Sequence, residues 1–114
     1  MAVRGIFLIG ASGTGKSTVA AILGERLGWP VFDLDRVIAE RAGAGIPQIF
    51  EREGEDGFRR RETEALREVA QAPPFVVATG GGAPLRAENR AIMARTGWVV
   101  TLEGRPETLL ARIQ

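Results

Sequence analysis

The sequence predicts an α/β fold, a parallel β-sheet flanked by helices on both faces. Three observations carry this. Short apolar runs of strand character alternate with segments of helical periodicity, and neither an internal repeat nor a low-complexity linker interrupts them. Glycine or proline punctuates most of the boundaries. With 114 residues, of which 45% are hydrophobic and 25% charged, the chain can bury one core.

The elements follow in order. Gly5-Ile6-Phe7-Leu8-Ile9 reads as a first strand, and after Ser17 the residues Val19, Ile22, Leu23 and Leu27 recur at helical intervals. Gly28-Trp29-Pro30 stops that helix, and Val31-Phe32-Asp33 is a short second strand. A helix is expected from Asp35 to Arg41 with Val37 and Ile38 inward, ended by Gly43 and Gly45. Pro47 suits the first turn of another short helix through Ile49 and Phe50. The charged stretch from Glu51 to Glu64 continues as a helix to Ala70, with Ala65, Leu66 and Val69 on its apolar side. Pro73-Pro74 breaks it before a third strand, Phe75-Val76-Val77-Ala78. Gly80-Gly81-Gly82 makes a tight loop, a helix runs from about Ala87 to Thr96, and Trp98 to Leu102 is a fourth strand. Pro106 and Glu107 are expected to open a last helix.

Composition narrows the chemistry. The chain has no cysteine, histidine or tyrosine, which removes thiol nucleophiles, Ser-His-Asp catalysis, histidine-based zinc sites and disulfides. Proton handling falls to carboxylates. A formal charge of +1 gives no reason to expect nucleic acid or an anionic membrane as partner. The apolar runs are too short to span a bilayer, and the first residues lead into a strand rather than a signal peptide, so a cytoplasmic location is expected.

Of fifteen basic residues only Lys16 is lysine. It stands in Gly10-Ala11-Ser12-Gly13-Thr14-Gly15-Lys16-Ser17, which has the G-x-x-x-x-G-K-[ST] spacing of a phosphate-binding loop between a strand and a helix N-terminus. There backbone N–H groups turn inward as an anion nest, and the helix dipole adds partial positive charge. A compact ammonium suits polyphosphate oxygens in a way the flat guanidinium does not, so Lys16 is expected across the β- and γ-phosphates of ATP and Ser17 on Mg²⁺. The cofactor-binding set is Gly13, Thr14, Gly15, Lys16, Ser17 and Thr18.

In a parallel sheet ligands gather beyond the carboxyl ends of the strands. Two of the three aspartates, Asp33 and Asp35, stand just after the second strand. Asp33 is a candidate for Mg²⁺ and Asp35 for accepting a hydroxyl proton, although Asp35 also reads as the N-cap of the next helix. Arg59-Arg60-Arg61 reads either as a solvated helix face or, with Phe58 beside Arg59, as a holder for a ring-shaped carboxylate. The triple glycine reads either as a loop avoiding clash or as backbone donors to a close-lying substrate.

Taken together, the Gly10–Ser17 loop, Asp33-x-Asp35, Phe58-Arg59-Arg60-Arg61-Glu62 and Gly80-Gly81-Gly82, in this order and at these intervals, resemble shikimate kinase over residues 4 to about 112. Gluconate kinase shares a similar first loop and is the alternative; a non-catalytic nucleotide-binding module is another. The resemblance implies a P-loop NTPase fold of the nucleoside-monophosphate-kinase type. It also implies phosphoryl transfer from ATP to the 3-hydroxyl of shikimate, on the route to chorismate and the aromatic amino acids. It makes Lys16 and Asp35 catalytic, with Ser17 and Asp33 at the metal. Asp35, Arg59, Gly80, Gly81, Gly82, Phe50 and Phe58 become substrate-binding, with Ile46 also lining the pocket and Glu62 orienting Arg59. Complete members continue into a lid arginine, a second carboxylate-binding arginine, a fifth strand and an adenine-contacting segment. Residues 1–114 are therefore expected to form a single domain that is incomplete at the C-terminus, and the complete protein is expected to be a monomer.

Overall fold

The computed structural model describes residues 4–11, 14–103 and 110–113. Strand β1, Gly5–Ile9, lies at the centre of the sheet, with β3, Val76–Ala78, on one side and β4, Gly97–Glu103, on the other. Strand β2, Val31–Asp33, pairs with the outer edge of β3, and these four strands are parallel. The sheet order is β2-β3-β1-β4-β5. Helices follow each of the first three strands: α1, Lys16–Leu27; α2, Leu34–Ala42, with α3, Ile46–Val69; and α4, Ala87–Thr96, after a single 3₁₀ turn at Ala83–Leu85.

Period-two alternation divides the sheet into two cores. Phe7, Phe75 and Val77 face α2, α3 and α4 together with Leu34, Ile38, Ile49, Leu66, Ile92 and Met93. Leu8, Val76, Ala78 and Leu102 point to the opposite face, against Ala20 of α1. Of the apolar residues that give α1 its periodicity, Val19 and Leu23 pack on the sheet, whereas Ile22 and Leu27 are 46% and 44% exposed. Gly24 is buried instead, because a Cβ there would lie 2.1 Å from Val31 Cγ2.

Three boundaries differ from the sequence reading. The N-cap of α2 is Asp33, whose carboxylate accepts from the Arg36 N–H at 3.4 Å; Asp35 thus sits in the first turn and does not cap it. The short helix through Phe50 and the charged helix after it form one element, kinked at Gly54 with φ 73° and ψ −178°, a backbone state open to glycine. Finally, Leu110–Ile113 is a strand, β5, antiparallel to β4 with Val100 opposite Ile113 and Glu103 opposite Leu110. A helix was expected here. Pairing with β4 satisfies backbone groups along a sheet edge, which the helix-start signal of Pro106 and Glu107 does not reveal; those two residues lie outside the described ones.

Candidate functional site

The carboxyl ends of β1, β2 and β3 open onto one cleft of about 440 Å³. Gly15, Lys16, Ser17 and Thr18 form one wall, Asp33 and Asp35 the second, and Thr79, Gly80 and Gly81 the third. Gly15 is the N-cap of α1 with φ 81°, which turns the loop into the helix axis. Thr14 is buried and its hydroxyl donates to the Ala11 carbonyl at 2.8 Å, bracing the loop from within. Gly13 lies outside the described residues.

Lys16 Nζ donates to the Gly10 and Ala11 carbonyls, the latter at 3.1 Å. Burial lowers its pKa, against which the charges of Asp35 and Asp33 work to raise it. Across the cleft Ser17 Oγ donates to Asp33 Oδ2 at 3.5 Å. Asp33 thus uses one oxygen to cap α2 and turns the other toward the start of α1. Desolvation and the neighbouring Asp33 raise the pKa of Asp35, while Lys16 and Arg59 pull it down. A half-buried carboxylate poised in this way is a suitable proton acceptor.

Arg59 lies in an adjoining hollow of about 460 Å³, with Glu55, Arg60, Gly82 and Arg86. Its Nη1 donates to Glu62 Oε1 at 3.1 Å, and its guanidinium sits 5.2 Å from the centroid of the Phe58 ring. Phe50 stacks on Phe58 with centroids 4.5 Å apart; Phe50 is 37% exposed and Phe58 only 4%, so Phe58 is the floor beneath Arg59 and Phe50 the accessible surface. Ile46 is half-buried against the same core.

The triple glycine separates the two hollows and fits both. A Cβ on Gly80 would stand 3.0 Å from Asp35 Oδ1, and one on Gly82 would stand 2.6 Å from both terminal nitrogens of Arg59. Nothing lies within 4 Å of a Cβ on Gly81. The loop therefore packs against the Asp35 carboxylate at Gly80 and against the Arg59 guanidinium at Gly82.

Three residues near these groups are not singled out by the sequence. Thr79 is buried and donates through both its hydroxyl and its N–H to the Leu8 carbonyl, tying the third strand end to the first. Thr63 and Asn89 are buried partners at 2.7 Å, although they stand 26 residues apart in sequence. Only the position of Thr79 just after a strand could have marked any of them.

The shikimate kinase family model matches residues 12–114. The chain belongs to the shikimate kinase family. It is 50% identical over 107 residues to a shikimate kinase of Symbiobacterium thermophilum, a match covering 94% of this chain and 62% of the relative. It superposes with a TM-score of 0.87 on a shikimate kinase from Acinetobacter baumannii solved in complex with shikimate, at 46% identity over 92% of this chain and 59% of that one. The chain thus spans about three fifths of the length of the shikimate kinases it matches. A gluconokinase from Sinorhizobium meliloti reaches a TM-score of 0.61 at 22% identity, covering 89% of this chain and 58% of that one. That likeness is one of fold alone, and the gluconate-kinase reading is not favoured.

Proposed function

We propose that this chain carries the acceptor and phosphate sites of an ATP-dependent shikimate kinase. The observation that carries the reading is that one glycine loop packs against Asp35 at Gly80 and against Arg59 at Gly82, with Asp35 sharing its cleft with Lys16. A nucleotide module alone has no use for that arrangement, whereas a hydroxylated ring acid needs a carboxylate at its hydroxyls and a guanidinium at its carboxyl group.

The residues then have distinct tasks. The Gly13–Thr18 segment and Lys16 hold the phosphates of ATP, and Arg59 holds the shikimate carboxylate over Phe58, with Phe50 beside it. Gly80–Gly82 allow the ring to lie close to the backbone. As the 3-hydroxyl oxygen bonds to the γ-phosphorus and the bridging oxygen leaves with ADP, Asp35 takes the hydroxyl proton. Ser17 and Asp33 suit Mg²⁺, since the Ser17 hydroxyl and Asp33 Oδ2 meet at 3.5 Å at the start of α1. That is the donor set expected of an ion that keeps water and phosphate oxygens as most of its ligands; when bound it neutralises phosphate charge.

The same reading makes the protein a cytoplasmic monomer whose partner is a small molecule, with residues 1–114 forming one domain. Among the described residues no helix is long and apolar enough to cross a membrane. ADP release by this chain with Mg²⁺ and ATP, compared for shikimate, gluconate and no acceptor, tests the proposal. Any release is expected to depend on shikimate. Release independent of acceptor, or equal with gluconate, overturns the assignment, and shikimate binding without any release refutes turnover by this chain.

A further inference from the structure

Asn89 is fully buried, in a position where an apolar side chain would avoid the cost of desolvating an amide. Its neighbours on α4, Ile92 and Met93, fill the core in that apolar way. The amide of Asn89 is instead spent on three partners. Its Oδ1 accepts from Thr63 Oγ1 at 2.7 Å, and its Nδ2 donates to the Ala83 carbonyl at 3.0 Å and to Glu62 Oε1 at 3.5 Å. The same Glu62 oxygen receives Arg59 Nη1, while Glu62 Oε2 is buried without a partner among the described residues. One side chain on α4 therefore grips both the buried carboxylate behind Arg59 and the turn that follows the triple glycine.

That turn is closed on itself by the Ala83 N–H to the Gly80 carbonyl at 3.2 Å and the Leu85 N–H to the Gly82 carbonyl at 3.1 Å. Moving Ala83 thus moves Gly82, which has no room for even a methyl group beside Arg59. A buried polar network rigidifies the groups whose hydrogen bonds are made, and the Asn89 amide has its carbonyl and both N–H bonds engaged. We propose that Asn89, with Thr63 orienting its amide, is a positioning residue that locks Arg59 and the Gly80–Gly82 loop into one unit for the carboxylate end of the acceptor. This rests on the shikimate reading above.

The test is calorimetric titration of shikimate and of Mg·ATP, each alone, into Asn89→Ala, Thr63→Val and Met93→Ala. Met93→Ala cuts a buried side chain from the same helix without touching the network. Loss of a buried hydrogen bond predicts about a tenfold drop in shikimate affinity for Asn89→Ala and about threefold for Thr63→Val, with Mg·ATP affinity held within about twofold. In an Arg59→Ala background, Asn89→Ala should add no further loss. Parallel losses for both ligands, or the same pattern in Met93→Ala, overturn the proposal; if Asn89→Ala does not fold, Thr63→Val decides it. Should Arg59→Ala leave shikimate affinity unchanged, the functional reading fails. The positioning claim is then judged by the Arg59 Nε–H resonance and Ala83 amide exchange. A change in Thr63→Val but not in Met93→Ala supports it, and no change refutes it.

Discussion

Lys16 and Arg59 stand in adjoining hollows with the triple glycine between them, so their losses should separate cleanly. Arg59→Ala removes a guanidinium already held by Glu62 at 3.1 Å and by the Phe58 face, and shikimate affinity should fall by about tenfold to a hundredfold. Nucleotide affinity should stay within about twofold of the parent chain, because Arg59 lines a different hollow from the Lys16 loop. Lys16→Met should show the reverse, with shikimate affinity kept and nucleotide affinity lowered. Titration of each ligand into both variants checks the pair; equal losses for both ligands in either one would contradict the division. Both residues are legible in the sequence for physical reasons: a lone lysine in a glycine loop and an arginine beside an aromatic and a glutamate declare their chemistry locally. Asn89 and Thr63 do not, since an amide and a hydroxyl acquire meaning only from partners distant in sequence.

Close approach gives glycines two different roles in the elements, and alanine substitution should distinguish them. At Gly82 the backbone, φ −90° and ψ −8°, tolerates any L-residue, and the atoms in the way are the movable end of Arg59. Gly82→Ala should therefore leave the unfolding free energy within about 1 kcal/mol of the parent while shikimate affinity falls, since Arg59 must turn aside. At Gly97 a Cβ would meet the Gly5 carbonyl oxygen of β1 at 2.5 Å, and backbone cannot yield in that way. Gly97→Ala should cost about 2 kcal/mol or more through strain between β1 and β4. Denaturant titration reads both, and a larger stability loss in Gly82→Ala than in Gly97→Ala would refute the distinction. At this scale local signals served well where an element is bounded by its own residues. The strand Gly5–Ile9 and the helix Ala87–Thr96 agree with expectation to the residue. They failed at Leu110–Ile113, where a neighbouring strand edge supplies the partner and four residues cannot announce it.

Across the whole molecule, two-sided layering follows from strands that are apolar on both faces, and this was the most legible property of all. What the sequence could not show is how charge is buried between the layers. Glu62 has a side chain only 1% exposed, and its pKa is raised chiefly by desolvation, against the hydrogen bond and charge of Arg59 that lower it. A carboxyl group whose folded pKa exceeds its unfolded value binds its proton more tightly when folded. Its contribution is therefore most favourable below the ordinary value of 4.5 and declines as pH rises through the raised folded value. Asp35 acts in the same direction from 3.8 upward. Glu53, lowered through its bond to Arg61, acts oppositely but is exposed and screened. Comparing the parent with Glu62→Gln cancels groups such as Glu53 that do not interact with Glu62, and leaves Glu62 with its coupling to Asp35. The stability of the parent relative to Glu62→Gln should shrink as pH rises above 4.5, and denaturant unfolding at increasing pH measures it. A difference that instead grows with pH would mean that the Arg59 ion pair outweighs burial, and the carboxylate would then be held in the fold by attraction rather than tolerated for the positioning of its arginine.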